Sequence, residues 1–203
     1  MAVSRFRVAA LAVAAFSLAA CGKKDNNAAD TTAASSTTTS MDTSSTAASS
    51  TGAGGTWSDA NIFALLDEAN MADSSAGSIA VTKGTAAAVR TFARDMMRDH
   101  HQLRSQGAAL AKKLNITPAA PSDDPVMPMA QNETNTLNST AKGKDFDKAY
   151  IDAEVDAHKA VLDLATKAAG QTQNAELKNL IQKAAPLIKA HLDKAEAIQK
   201  TLK

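Results

Sequence analysis

A single cysteine in 203 residues excludes an intrachain disulfide, so no pairing of thiols braces this chain. Aromatic residues make up only 3%, too few for the stacking platforms that hold single-stranded nucleic acid. Neither sign of charge dominates: the formal net charge is +1, and two of the positive residues, Arg5 and Arg7, lie at the extreme N-terminus. That balance leaves no basic face for nucleic acid. No phosphate loop, HExxH helix or nucleophile elbow occurs, which removes the commonest sequence signals of an enzyme. No stretch has the strand period of two over a useful length. What is abundant is alanine and leucine, and these favour helix.

The first residues read as an address. Met1 to Arg7 carries two arginines, and Val8 to Ala20 is apolar apart from Ser17. This charged start and short apolar run fit a secretory signal over residues 1–20. The run is about 13 residues, too short to span roughly 30 Å of hydrocarbon as a permanent helix. It ends Leu18-Ala19-Ala20-Cys21-Gly22, which resembles the bacterial lipoprotein box, in which the cysteine becomes the lipidated first residue. Acyl chains on Cys21 supply enough buried methylene for stable membrane anchoring. Residue 22 is Gly and not the Asp that would resemble the inner-membrane retention signal, so the expected home is the outer membrane, with the domain facing the periplasm. Residues 21–56 are then lipidated Cys21 and a tether. From Lys23 to Thr56 the chain is Ser, Thr, Ala, Asn, Asp and Gly, with Met41 the one large apolar residue. Such a segment cannot bury enough surface to offset its ordering entropy.

Residues 57–203 carry the expected fold. Ser58 or Asp59 can cap a first helix with apolar residues at Ile62, Phe63, Leu65, Leu66, Ala69, Ala72, Ala76, Ile79 and Ala80. Lys83-Gly84-Thr85 reads as helix end, left-handed residue and new N-cap. A second helix to about Leu114 places Val89, Phe92, Ala93, Met96, Met97, His100, Leu103 and Leu110 at three- and four-residue spacing. Asp124-Pro125 starts a shorter helix that ends near Thr140. Asp145 can cap a fourth, ending near Gly170, and Asn174 a fifth that contains Pro186. These elements predict an all-α fold, a ferritin-like antiparallel four-helix bundle with a short extra helix between the second and third long ones.

Three of the four histidines fall on apolar stripes: His100, His158 and His191. His101 points elsewhere on its helix and is expected at the surface. If the turns near Lys83 and Gln171 share one end, the three rings lie about 17, 13 and 20 residues from it, within roughly 10 Å in height at 1.5 Å per residue. Helix one offers Asp67, Glu68, Asn70 and Met71 at that level. Three imidazoles with Glu154 or Glu68 would suit zinc, copper or iron. The alternative is a buried polar layer in which Glu154, Tyr150 or Asn70 satisfies each ring nitrogen. Met96, Met97, Met127 and Met129 could offer soft sulfur to copper, but methionine at helical spacing more often fills a core.

Three segments resemble one bacterial family. Val89-Arg-Thr-Phe92-Ala93-Arg-Asp-Met96-Met-Arg-Asp99-His100 is similar to its VxxFAxxMxxDH signature. Phe146-Asp147-Lys-Ala-Tyr150 with His158 resembles its FDxxY…H segment, and Pro186 to Leu192 its closing PxxxxHL. The family is the domain of unknown function 4142, envelope proteins grouped with ferritin-like bundles. The resemblance spans Trp57 to Lys203 and implies a fold and a location, with no activity. Ferritin-like metal enzymes carry Glu-x-x-His on two helices. Here Glu154 and His158 are four apart, Met97 is three before His100, and Leu187 and Ile188 stand where His191 would need an acid. That spacing argues against a di-iron oxidase or an iron store. The sequence therefore favours a non-catalytic envelope lipoprotein, a structural, binding or stress-related module. A periplasmic metal-binding protein using the histidine layer is the alternative. Beyond the membrane held through Cys21, it names no protein partner, ligand or oligomeric state.

Cys21→Ser should abolish labelling by radioactive palmitate and release the protein from the membrane fraction. Unchanged labelling and retention would refute the lipidation.

Overall fold

Three of the five described helices begin where a side chain takes up backbone N–H groups that have no partner in the first turn. In the computed structural model, which describes residues 55–202, α1 (Asp59–Lys83) is capped by Ser58. The Ser58 hydroxyl accepts from Asn61 N, and the Asn61 side chain accepts from Ser58 N, a reciprocal capping box. Asp124 accepts from Val126 N and Met127 N at the start of α3 (Val126–Ser139). Asn174 accepts from Glu176 N and Leu177 N at the start of α5 (Ala175–Gln199). The apolar leader, Cys21 and the tether lie outside the described residues. Among those described, no helix is long and apolar enough to cross a membrane.

Two boundaries differ from expectation. Gly84 is not left-handed; its φ is −62° and ψ 139°. Thr85 does not cap α2 (Ala87–Lys113) with its own side chain. Asp147, buried on α4 (Lys144–Gln171), does that work from another element. Its carboxylate accepts from Thr85 N at 2.8 Å, Ala86 N at 2.8 Å and Thr85 Oγ1 at 2.5 Å. A negative group at a helix N-terminus also complements the helix dipole. The start of α4 is not capped by Asp145 but follows Gly143, whose φ of +147° an L side chain rarely adopts. At the far end of α2, Asn115 turns left-handed at φ 54°, and Ile116 N donates to Ala111 O at 2.9 Å. This closes the helix with a Schellman motif, for which no glycine is needed.

These contacts fix the direction of every helix. Thr85 and Asp147 put the α1–α2 turn beside the start of α4. Lys83 Nζ donates to Leu137 O at 2.6 Å, so the end of α3 is there too. Trp57 N donates to Gln171 Oε1 at 2.8 Å, which places the start of α1 beside the end of α4. The turns near Lys83 and Gln171 therefore lie at opposite ends, not at the same one. The chain runs up α1, down α2, up the crossover α3, down α4 and up α5. This is a single long crossover, a connection of the kind found in ferritin-like bundles. α1 packs on α2 and α4, and α5 packs on α2 and α4. Every one of these neighbouring pairs is antiparallel, and α3 lies across α1 and α4.

The apolar interior is in two parts. One gathers Phe63, Leu65, Val161, Leu177 and Ile188 toward the Trp57 end. The other gathers Val89, Phe92, Met96, Phe146 and Ile151 toward the Lys83 end. Between them each long helix contributes a buried polar residue: Asp73, His100, His158 with Glu154, and His191. Helix α1 approaches α2 closely just above this level. A Cβ on Gly77 would meet Ala93 O at 2.8 Å and Met97 Cγ at 3.0 Å.

Asp147→Ala removes three hydrogen bonds to a buried carboxylate. It should cost about 2–4 kcal/mol, a thermal midpoint lower by roughly 6–14 °C. Gly77→Ala should cost about 1–3 kcal/mol by overpacking. The exposed Asp145→Ala should stay within about 0.5 kcal/mol of wild type. Thermal unfolding followed by circular dichroism reads all three, and an Asp147 variant as stable as the Asp145 variant would refute the shared cap.

Candidate metal centre

His100 follows Met96 by one helical turn, and His191 follows Leu187 and Ile188, so both rings point inward with the apolar stripe. His158 stands on the buried face of α4, between Val155 and Val161. The three ring centroids form a near-equilateral triangle with sides of 5.6 Å for His100–His158, 5.2 Å for His100–His191 and 5.5 Å for His158–His191. All three rings are buried, with His191 the most exposed at 5%. One ring nitrogen from each lies within 4.8 Å of the others.

Every ring uses one nitrogen outward. His100 Nδ1 is 2.8 Å from Asn70 Oδ1 and 3.2 Å from Asp73 Oδ2. His158 Nδ1 is 2.8 Å from the Glu154 carbonyl oxygen. His191 Nε2 is 3.1 Å from Asp99 Oδ2. Each of these partners accepts, so each engaged nitrogen carries the proton. The other nitrogen is left with a lone pair: Nε2 of His100 and His158, Nδ1 of His191. These three atoms are buried and have no hydrogen-bond partner. Each ring is thus satisfied at one nitrogen and unsatisfied at the other.

Electrostatics keep the rings neutral. Burial lowers the pKa of His100 to about 4 and lowers those of His158 and His191 as well. Burial acts in the opposite sense on the neighbouring acids. Asp73 is raised to about 6, with His158 pulling it back. Glu133 is raised to about 8 by burial and by Asp73. Glu154 is pushed well above the ordinary carboxylate range by burial, then by Asp73 and Glu133. Neutral imidazole is the form that binds a metal. Carboxylates or carbonyls behind metal-ligating histidines set the tautomer and the ring angle. The donor set and its orphaned nitrogens therefore fit a transition ion.

The residues expected from the sequence divide clearly. His100, His158 and His191 converge, and Glu154 adjoins them through His158, with Oε2 3.3 Å from Nδ1. Glu68 is not brought in. It is absent from both groupings of ligand atoms, and its carboxylate faces Asp124 and Asp67 instead. Helix one supplies Asp73 in its place. Oxygens of Asp73 and Glu154 lie within 4.8 Å of each other and of a His158 ring nitrogen. Asn70 takes up His100 as anticipated. Asp73, Asp99 and Glu133 were missed. Asp73 had a readable signal, because Ala69, Asp73, Ala76 and Ala80 share one buried stripe. His101 is exposed, Met96 is fully buried, and Met97 and Met127 are each 37% exposed.

The chain belongs to the family described as Domain of unknown function (DUF4142), whose model matches residues 26–198. The match begins well before Trp57, so it includes part of the segment read as a tether. No curated protein matches. Three solved structures share the helical-bundle fold. CopM in the Cu(II)-bound form is 12% identical, with a TM-score of 0.58, and the match covers 73% of this chain and 100% of that one. CopM in the Cu(I)-bound form is 14% identical, with a TM-score of 0.57 over 71% and 97%. A DUF305 fragment from Deinococcus radiodurans is 12% identical, with a TM-score of 0.60 over 71% and 97%.

The metal-free protein should show His100 and His158 as Nδ1–H tautomers and His191 as Nε2–H in nitrogen-15 spectra. His100 should stay neutral down to about pH 4. Its folded pKa lies below the unfolded value of about 6.5. Unfolded chains therefore take up its proton first, and its contribution to stability falls as pH drops from about 6.5 toward 4. A His100 ring that titrates near 6.5 in the folded protein would contradict this burial.

Proposed function

We propose that this DUF4142 protein is a metal-binding module of the cell envelope. Lipid on Cys21 anchors it at the outer membrane, facing the periplasm, and residues 21–56 tether the bundle. The bundle holds one zinc(II) or copper(II) ion on His100 Nε2, His158 Nε2 and His191 Nδ1. The observation that carries this reading is the set of three buried, unpartnered ring nitrogens, each on a ring whose other nitrogen is engaged. A purely structural polar layer would satisfy both sides of each ring. Three imidazoles suit zinc or copper. The copper-bound CopM structures, which share the fold, support the copper arm.

The residues behind the ligands have definite work. Asn70 and Asp73 hold the His100 proton outward, the Glu154 carbonyl does so for His158, and Asp99 for His191. Asp99 is itself held by Arg98, which also pairs with Asp95, and Lys194 of α5 pairs with Asp95 at 2.6 Å. This chain ties α5 to α2 beside the ring nearest solvent.

The full chain, purified without a histidine tag, should bind one equivalent of zinc or copper in equilibrium dialysis with elemental analysis. Ligand at 100 times its dissociation constant should add about 2.7 kcal/mol of stability, raising the thermal midpoint by roughly 8–10 °C. His191→Ala should lose the equivalent. Asp99→Ala should keep it with roughly 10- to 100-fold weaker affinity. Binding far below one equivalent for both ions, with no midpoint shift, would overturn the proposal.

A further inference from the structure

A second group of buried polar atoms adjoins the three imidazoles, and of its members only Asp73 has a role above, behind His100. Asp73 comes from α1, Glu133 from the crossover α3, and Glu154 and Tyr150 from α4. Glu154 and Tyr150 have no exposed surface, and Asp73 has 3%. Both carboxylate oxygens of Glu154, Oε1 of Glu133 and the Tyr150 hydroxyl are buried without a hydrogen-bond partner. Burial raises the pKa of the Tyr150 hydroxyl, and the adjacent Glu154 raises it further. Among the described residues, no lysine or arginine pairs with Asp73, Glu133 or Glu154.

Buried carboxyl oxygens and a buried hydroxyl need a hydrogen bond or a cation as partner. Asp73, Glu154 and His158 already bring ligand atoms within 4.8 Å of one another. Both unpartnered oxygens of Glu154 belong to this group.

We propose that Asp73 and Glu154, with a His158 ring nitrogen, form a second cation position next to the three-histidine ion, and that Glu133 and the Tyr150 hydroxyl stand behind it. It takes a divalent transition ion that prefers oxygen donors, manganese(II) or iron(II). The centre is then asymmetric, with imidazoles on one side and carboxylates on the other, and His158 between them. This rests on the metal-binding reading of the layer, but the carboxylate side can fail separately from the imidazole side.

The test uses manganese(II) and the full, untagged chain. Bound manganese is counted by the loss of the free-ion electron paramagnetic resonance signal. Wild type should bind about one manganese per chain, and so should His191→Ala, which disables the imidazole side. Glu154→Gln and Glu133→Gln should each weaken manganese binding at least 10-fold while keeping the zinc or copper equivalent. Circular dichroism confirms the fold of each variant. If Glu154→Gln does not fold, Glu133→Gln on the crossover decides. Wild type that binds no manganese at millimolar concentration would overturn the second position. Equal manganese affinity in wild type and both glutamine variants would also do so. Loss of manganese in His191→Ala with retention in the glutamine variants would show a single shared position and refute it. If wild type takes manganese but neither zinc nor copper, the imidazole site fails and the carboxylate site stands.

Discussion

A neutral imidazole in an apolar bundle has two nitrogens to satisfy, and the fold here satisfies only one on each of three rings. An unpartnered buried polar atom costs about 1–3 kcal/mol. Three of them cost about 3–9 kcal/mol, a large share of the roughly 5–15 kcal/mol by which an ordinary domain is stable. Ionising the rings is no remedy, because burial lowers their pKa values. Neither is turning them, because Asn70, Asp73, the Glu154 carbonyl and Asp99 fix each ring from outside. A cation accepts all three lone pairs at once. On the metal-binding proposal, that is the part a bound ion plays.

The chain path decides which groups meet there. With α1 up, α2 down, α4 down and α5 up, His100 and His158 stand on diagonal helices and His191 reaches between them from α5. Asp73 closes the fourth side from α1. The crossover is more than a connector, because α3 carries Glu133 to the level of Asp73 and Glu154. Its position is held at the upper end by Lys83, whose ammonium donates to Leu137 O and Asn138 O. The same end holds Asp147, so the shared cap of α2 and the start of α4 sets the relative height of the two histidine helices.

Much of this was legible in the sequence. Periodicity located the helices, because each stripe of Leu, Ile, Val, Phe and Ala had to face a common interior. Ser58, Asp124 and Asn174 announced helix starts through local chemistry, which a sequence displays directly. The start of α2 was not legible, since its cap is Asp147, 62 residues from Thr85. Nor was the chain path. Short turns constrain only the pairs they join, and nothing local states that the Lys83 and Gln171 turns lie at opposite ends. The three histidines were still expected at one level because each is near the middle of its helix, where reversing a helix changes height little.

The site was legible in its nitrogens and less so in its oxygens, for a definite reason. Spacing within one helix reveals a ligand pair only when both members lie on that helix, as in Glu-x-x-His. Judged that way, Met97, Leu187 and Ile188 leave the histidines without acids. The structure brings Asp73, from a helix that carries no histidine near the layer, beside Glu154 and His158. Glu68 drew attention because it is acidic and near the right height, yet it faces Asp124 and Asp67. Asp73 lies on the Ala69–Ala76–Ala80 stripe and so must point inward. Direction around the helix axis, more than height along it, separates a buried carboxylate from an exposed one. An acidic residue embedded in a run of alanines at helical spacing is therefore a stronger signal for a buried site than one placed by level alone.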